Sequence, residues 1–175
     1  LLDFKVMQGE LSRVTLQLRG AGEVTRVAGE QVLSWAVEPD GAERRLVVQL
    51  NQPQKDSFGL QVQFQTPLGS FPQTSDVVRI QPEGATRFAG HLRVVNEGAV
   101  RIEVTQSSGL SQISPDQFPE SDATRSWLAA TGAQRFAFRF AGGAFTLRVQ
   151  ADNILPELGV SELLAYHLAE TELSI

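Results

Sequence analysis

The chain is governed by alternation of apolar and polar residues with a period of two. Leu11-Ser12-Arg13-Val14-Thr15-Leu16-Gln17-Leu18, Gly59-Leu60-Gln61-Val62-Gln63-Phe64-Gln65 and Phe145-Thr146-Leu147-Arg148-Val149-Gln150 carry it most clearly. Successive side chains of an extended backbone point to opposite faces, so each segment offers one apolar face for burial and one polar face for solvent. The expected fold is all-β and antiparallel. A half-buried sheet is a scaffold, and function has to be argued from a site placed on it.

With 175 residues, 42% hydrophobic and 20% charged, the chain can build one generous core or two small sandwiches sharing an interface. A net charge of −5, with Asp and Glu spread along the chain, leaves no basic footprint for phosphate contacts, which disfavours a nucleic-acid partner. No run approaches the roughly 20 apolar residues needed to span a bilayer as a helix, so direct membrane insertion is not expected. The absence of cysteine excludes disulfides, thiolate metal sites and a cysteine nucleophile, without identifying a compartment. Both ends, Leu1-Leu2-Asp3-Phe4-Lys5-Val6 and Leu173-Ser174-Ile175, run in strand pattern, and the expectation is a segment of a longer chain.

The pattern predicts strands at about Phe4 to Gln8, Leu11 to Arg19, Glu23 to Ala28, Val32 to Glu38, Arg44 to Leu50 and Phe58 to Gln65, arranged as a meander. Pro39-Asp40-Gly41 is the clearest hairpin signal, and Asn51 to Ser57 reads as polar loop. Thr66 to Asp76, rich in Pro, Gly and Ser, is the expected joint, giving residues 1–70 as a first sandwich half and 71–175 as a second. Beyond it, Val77 to Gln81, Arg87 to Val95 and Ala99 to Gln106 read as strands, the last two as a hairpin about Asn96-Glu97-Gly98. Arg135 to Ala141 and Ala144 to Ala151 read as another hairpin about Gly142-Gly143.

One short helix is expected near 123–131, capped by Ser121 or Asp122 and ended by Gly132. Val160 to Leu168 fits both periods, strand by its alternation and helix by its Ala, Leu and Glu content.

The run Gly109-Leu110-Ser111-Gln112-Ile113-Ser114-Pro115-Asp116-Gln117-Phe118-Pro119, with Phe136-Ala137-Phe138-Arg139-Phe140 and Phe145-Thr146-Leu147-Arg148-Val149, resembles segments of very large, multi-repeat, uncharacterised extracytoplasmic bacterial proteins rich in β-structure. Gly29 to Trp35, Arg44 to Leu50 and Gly84 to Val94 are similar to other pieces of them. The resemblance implies a β-rich module of an exported assembly, periplasmic or on the cell surface, and it favours strand for Val160 to Leu168. No functional residue is assigned in that group, so none is carried over.

Candidate chemistry is sparse. His91 and His167 are far apart, and neither sits in a local ligand motif. Glu97, Glu103, Asp116, Glu120 and Asp122 could supply a carboxylate pair for glycoside hydrolysis only if two converged in a cleft. The Asp116 to Asp122 loop gathers oxygen ligands but lacks the alternating acidic pattern and central glycine of a calcium loop. Ser107-Ser108-Gly109 reads as a turn rather than a nucleophile elbow, and Ala141-Gly142-Gly143-Ala144 joins strands rather than cradling phosphate.

The expected protein is therefore an antiparallel β-sandwich, with two packed sub-sandwiches as the finer form. It is expected to be non-enzymatic, with no cofactor and no metal, serving as a structural or protein-interaction module. Its expected partners are neighbouring modules of a parent chain or another protein. The alternative is a carbohydrate-binding module contacting a glycan through Trp127, the aromatic on the expected helix or its loop whose exposure discriminates between the two readings. Trp35, mid-strand, is expected to share a core with Leu46, Val48, Leu60, Val62 and Phe64.

Overall fold

In a computed structural model of the chain, the described residues are 1–41, 43–96, 98, 100–119, 134–142, 144–154, 159, 167–168 and 173–174. Strands β1 (Leu2–Lys5), β2 (Leu11–Arg19), β3 (Glu23–Ala28), β4 (Val32–Asp40), β5 (Glu43–Gln54) and β6 (Ser57–Gln65) come first. Then follow β7 (Gln73–Asp76), β8 (Arg79–Pro82), β9 (Ala89–Asn96), β10 (Val100–Ser108) and β11 (Ser111–Ile113). A 3-10 turn (Pro115–Gln117) precedes β12 (Gln134–Ala141) and β13 (Thr146–Asn153), and His167–Leu168 pairs with Leu173–Ser174. Every pairing is antiparallel, and the protein is an all-β sandwich.

The first core lies between a four-stranded sheet, β4-β5-β2-β8, and a three-stranded sheet, β1-β6-β3. Its centre follows directly from the alternation. Val14, Leu16 and Leu18 point inward from β2, Leu46, Val48 and Leu50 from β5, and Phe58 and Leu60 from β6. Cross-strand register aligns them, with Leu16 opposite Leu46 and Val14 opposite Val48. Burying one such leucine completely stabilises the fold by about 1.5 to 3 kcal/mol. Val62 and Phe64 pack against this cluster, as the alternation predicts, and Phe4 stacks on Phe58 with ring centroids 5.1 Å apart.

The second half repeats the plan with β10-β13-β7 and β11-β12-β9. Phe138, Phe140, Phe145 and Leu147 are buried, and the rings of Phe140 and Phe145, 4.9 Å apart, bring the two sheets together. Gly90 lies opposite Phe140, whose ring occupies the space a side chain would need. After residue 70 the chain enters the second half as β7, against β13, and returns to the first as β8, against β2. Arg79 at the start of β8 donates from Nη1 to the carbonyl of Phe145 at 3.2 Å.

Several expectations are corrected. The first half is not a meander, since β2 pairs with β5 and β8, and β3 with β6. The Asn96 and Gly142 turns are not hairpins, because β9 pairs with β12 while β10 pairs with β13. Each turn instead carries the chain from one sheet to the other. Asn96 serves the first crossing, its amide donating to the Val100 carbonyl and its Oδ1 accepting from the Gly98 amide at 3.1 Å. Residues 51–54, read as loop, extend β5 so that Gln54 opposes Leu11, and Gln73 to Asp76, read as part of the joint, form β7. A hairpin does join β4 and β5, but its turn lies one residue later than the Asp40-Gly41 pair predicts: Asp40 ends β4 opposite Glu43, and of the two only Gly41 takes a positive φ.

Trp35 is also corrected. It stands opposite Val48 on the core-facing side of its sheet, yet 38% of its surface is exposed. β4 is the edge strand of the four-stranded sheet, and the three-stranded sheet opposite does not reach over it. The expected helix near 123–131 lies outside the described residues, as do residues 160–166.

Candidate functional site

Among the described residues, the expected site residues are not drawn together. His91, on β9, is exposed and meets the Phe118 ring edge-on at 5.9 Å between centroids. His167 is known only through its backbone pairing with Ser174. Glu103 is tied on the surface to Arg101 at 2.6 Å, and Asp116 is exposed on the 3-10 turn. Glu97, Glu120, Asp122 and Trp127 lie outside the described residues. Among the described residues no group of three or more His, Asp or Glu could hold a metal ion. Ser107 and Ser108 close β10 in exposed positions, and Gly109 takes a φ of +68° to turn the chain.

One open concavity of about 340 Å³ lies where the ladder between β2 and β5 breaks. Glu10, Leu11, Ser12, Arg13 and Gln49 line it. The Glu10 carboxylate is held by Lys55 at 2.8 Å, so the hollow offers a single neutralised carboxylate rather than the two that glycoside hydrolysis uses.

The most distinctive surface is the outer edge of β4. Asp40 and Glu43 close a two-residue hairpin loop, and such a closing pair exchanges both backbone hydrogen bonds. Alternation along the ladder then makes Pro39 with Arg44, Val37 with Leu46 and Trp35 with Val48 the non-hydrogen-bonded pairs. The N–H and C=O groups of Trp35 and Val37 therefore point away from β5, toward a side on which no other described strand pairs. Pro39 fits the same parity, because a proline in a sheet is tolerated where its missing N–H faces outward. Leu33, the extra residue of a bulge between Val32 and Ser34, is 69% exposed, and Val37 is exposed beside Trp35.

The apolar-polar alternation of Val32 to Asp40 does not distinguish an edge from a central strand. The one available signal was Pro39, whose place in a strand confines that strand to an edge or a bulge.

The charged surface pairs are ordinary. Arg45 Nε lies 3.2 Å from Asp40 Oδ2 beside the hairpin, and Arg44 donates to the carbonyls of Gly22 and Gly20 at 2.6 and 2.8 Å, fixing the turn between β2 and β3. The Asp76 carboxyl is held below its usual value by its hydrogen bonds from Arg148, against a small opposing effect of burial.

The fold and this edge define a β-sandwich domain with an open strand. No protein-family model matches the chain, and no match was found among curated proteins or solved structures.

Proposed function

We propose that this chain is a non-enzymatic structural or protein-interaction module of a larger exported bacterial protein, and that it joins its neighbour along β4. The observation that supports this reading is the outward-facing backbone of Trp35 and Val37, flanked by the exposed side chains of Leu33, Trp35 and Val37. An edge strand presenting free backbone groups and apolar side chains is a template for an added strand. Strand addition supplies affinity through main-chain hydrogen bonds, while Trp35 and Val37 would extend the core-facing apolar surface against the incoming strand.

The test is backbone amide exchange. The amides of Trp35 and Val37 exchange rapidly in the 175-residue chain, whereas those of Ala36 and Glu38, bonded to β5, are protected. In a longer chain carrying the adjoining parent sequence, the Trp35 and Val37 amides become protected. Unchanged exchange in that longer chain would remove the reading.

A further inference from the structure

The outward face of the sheet β11-β12-β9 carries a row of polar side chains that neither core uses. Ser111, Arg139 and His91 are direct cross-strand partners, in that order across the three strands, and all are exposed. Directly opposed residues share a face with Cβ atoms about 5 Å apart, so a hydroxyl, a guanidinium and an imidazole stand in a line about 10 Å long.

One row along the same face, Arg93 opposes Ala137, which is fully buried although it faces outward, beside the 3-10 turn packed on β12. The turn leads into Phe118, whose ring lies 5.8 Å below the Arg93 guanidinium and edge-on to His91. Phe118 thus forms an apolar rim at one end of the polar row. Among the described residues Arg139 makes no hydrogen bond or ion pair, so its five donors are available in a protein whose net charge is −5.

We infer that this row is a binding site for a saccharide carrying a carboxylate, such as a uronic acid. The planar guanidinium fork of Arg139 matches a carboxylate bidentately. Ser111 and His91 on either side both donate and accept, which suits the hydroxyl groups that flank a sugar carboxylate. An acidic peptide would also bring carboxylates, but with backbone N–H and C=O groups beside them instead of the ring hydroxyls that adjoin a uronate carboxylate. An apolar rim beside a few placed polar groups is the usual composition of a small-ligand site. The site lies in the opposite half of the chain from β4 and is independent of the reading based on that strand.

The experiment titrates the full chain with oligomers of galacturonate, glucuronate and mannuronate, following heat release and the His91 imidazole signals. Saturable binding is expected for at least one oligouronide and is lost when its carboxylates are methyl-esterified. Arg139→Gln weakens binding about tenfold or more, the equivalent of one lost charge-assisted pair. Arg139→Lys, which keeps the charge without the fork, falls between, and Ser111→Ala gives a smaller loss. Arg101→Gln, an exposed arginine of the other sheet, leaves the affinity unchanged. Because Arg139 is exposed and unpartnered, the melting temperature stays unchanged in Arg139→Gln. Absence of binding by all three oligouronides, equal binding of a hexaglutamate peptide, or an affinity indifferent to Arg139→Gln would each overturn the inference.

Discussion

Arg148 of β13 and Asp76 of β7 are direct cross-strand partners joined by two parallel hydrogen bonds, Nε to Oδ1 at 2.6 Å and Nη2 to Oδ2 at 3.0 Å. This fork is the side-chain tie between β13 and the short strand that first carries the chain into the second half. It holds the Asp76 carboxyl below its ordinary value, chiefly through the hydrogen bonds from Arg148. A depressed carboxyl contributes stability above its unfolded-state pKa and loses it as the pH falls through the lower folded-state value. The contribution is thus full at neutral pH, begins to fall near pH 4 and is gone once the pH lies below the depressed folded-state value. Both groups are exposed, so solvent keeps it small. Urea titrations at pH 7 and pH 2.5 should show Asp76→Asn destabilising at the first and less so at the second, and an equal effect at both would contradict the assignment.

Leu46 and Trp35 occupy the same face of one sheet and differ in cover. Leu46→Ala should cost about 2 to 5 kcal/mol, because it empties a fully enclosed site. Trp35→Ala should cost only about 1 kcal/mol, since much of the ring already meets solvent and leaves no closed cavity. Denaturant midpoints at constant slope would measure both. Equal losses would mean that Trp35 is enclosed after all.

Neighbouring residues of β4 should respond oppositely to proline. Ala36→Pro removes an N–H bonded to β5 and leaves its acceptor unpaired, which should cost about 1 to 3 kcal/mol. Val37→Pro removes an N–H that faces the open side and should cost less than about 1 kcal/mol, as the natural Pro39 indicates. Thermal unfolding of the two variants distinguishes them, and a reversed order would contradict the assigned hydrogen-bond parity of the ladder.

Gly90→Ala should be destabilising by about 1 to 3 kcal/mol, the usual range for overpacking. A Cβ there would lie 2.9 Å from Cζ and 3.0 Å from Cε1 of Phe140. In a Phe140→Leu background the added cost should fall close to zero, a coupling that a double-mutant cycle reads directly. An unchanged cost in that background would place the strain elsewhere.

The sequence by itself determined the longer strands among the described residues and which side chains of β2, β5 and β6 are inward. Val14, Leu16, Leu18, Leu46, Val48 and Leu60 are buried because a period of two leaves an extended chain no other way to hide its apolar half. The hairpin between β4 and β5 was legible for a similar reason, since a turn-forming glycine, Gly41, stands between two alternating runs, although its loop is closed by Asp40 and Glu43 rather than formed by Asp40. Beyond that hairpin, tertiary structure alone decided which strand lies beside which. The turns at Asn96 and Gly142 have the composition of hairpin turns, yet both cross between sheets, because phenylalanines from both sides must meet in one core and local turn chemistry does not record that demand. It also decided that Trp35, with the same alternation as Leu46, would stand at an uncovered edge: burial depends on what the opposite sheet spans, and no residue of β4 encodes the width of its neighbour. The row of Ser111, Arg139 and His91 arises likewise, from register between strands far apart in sequence.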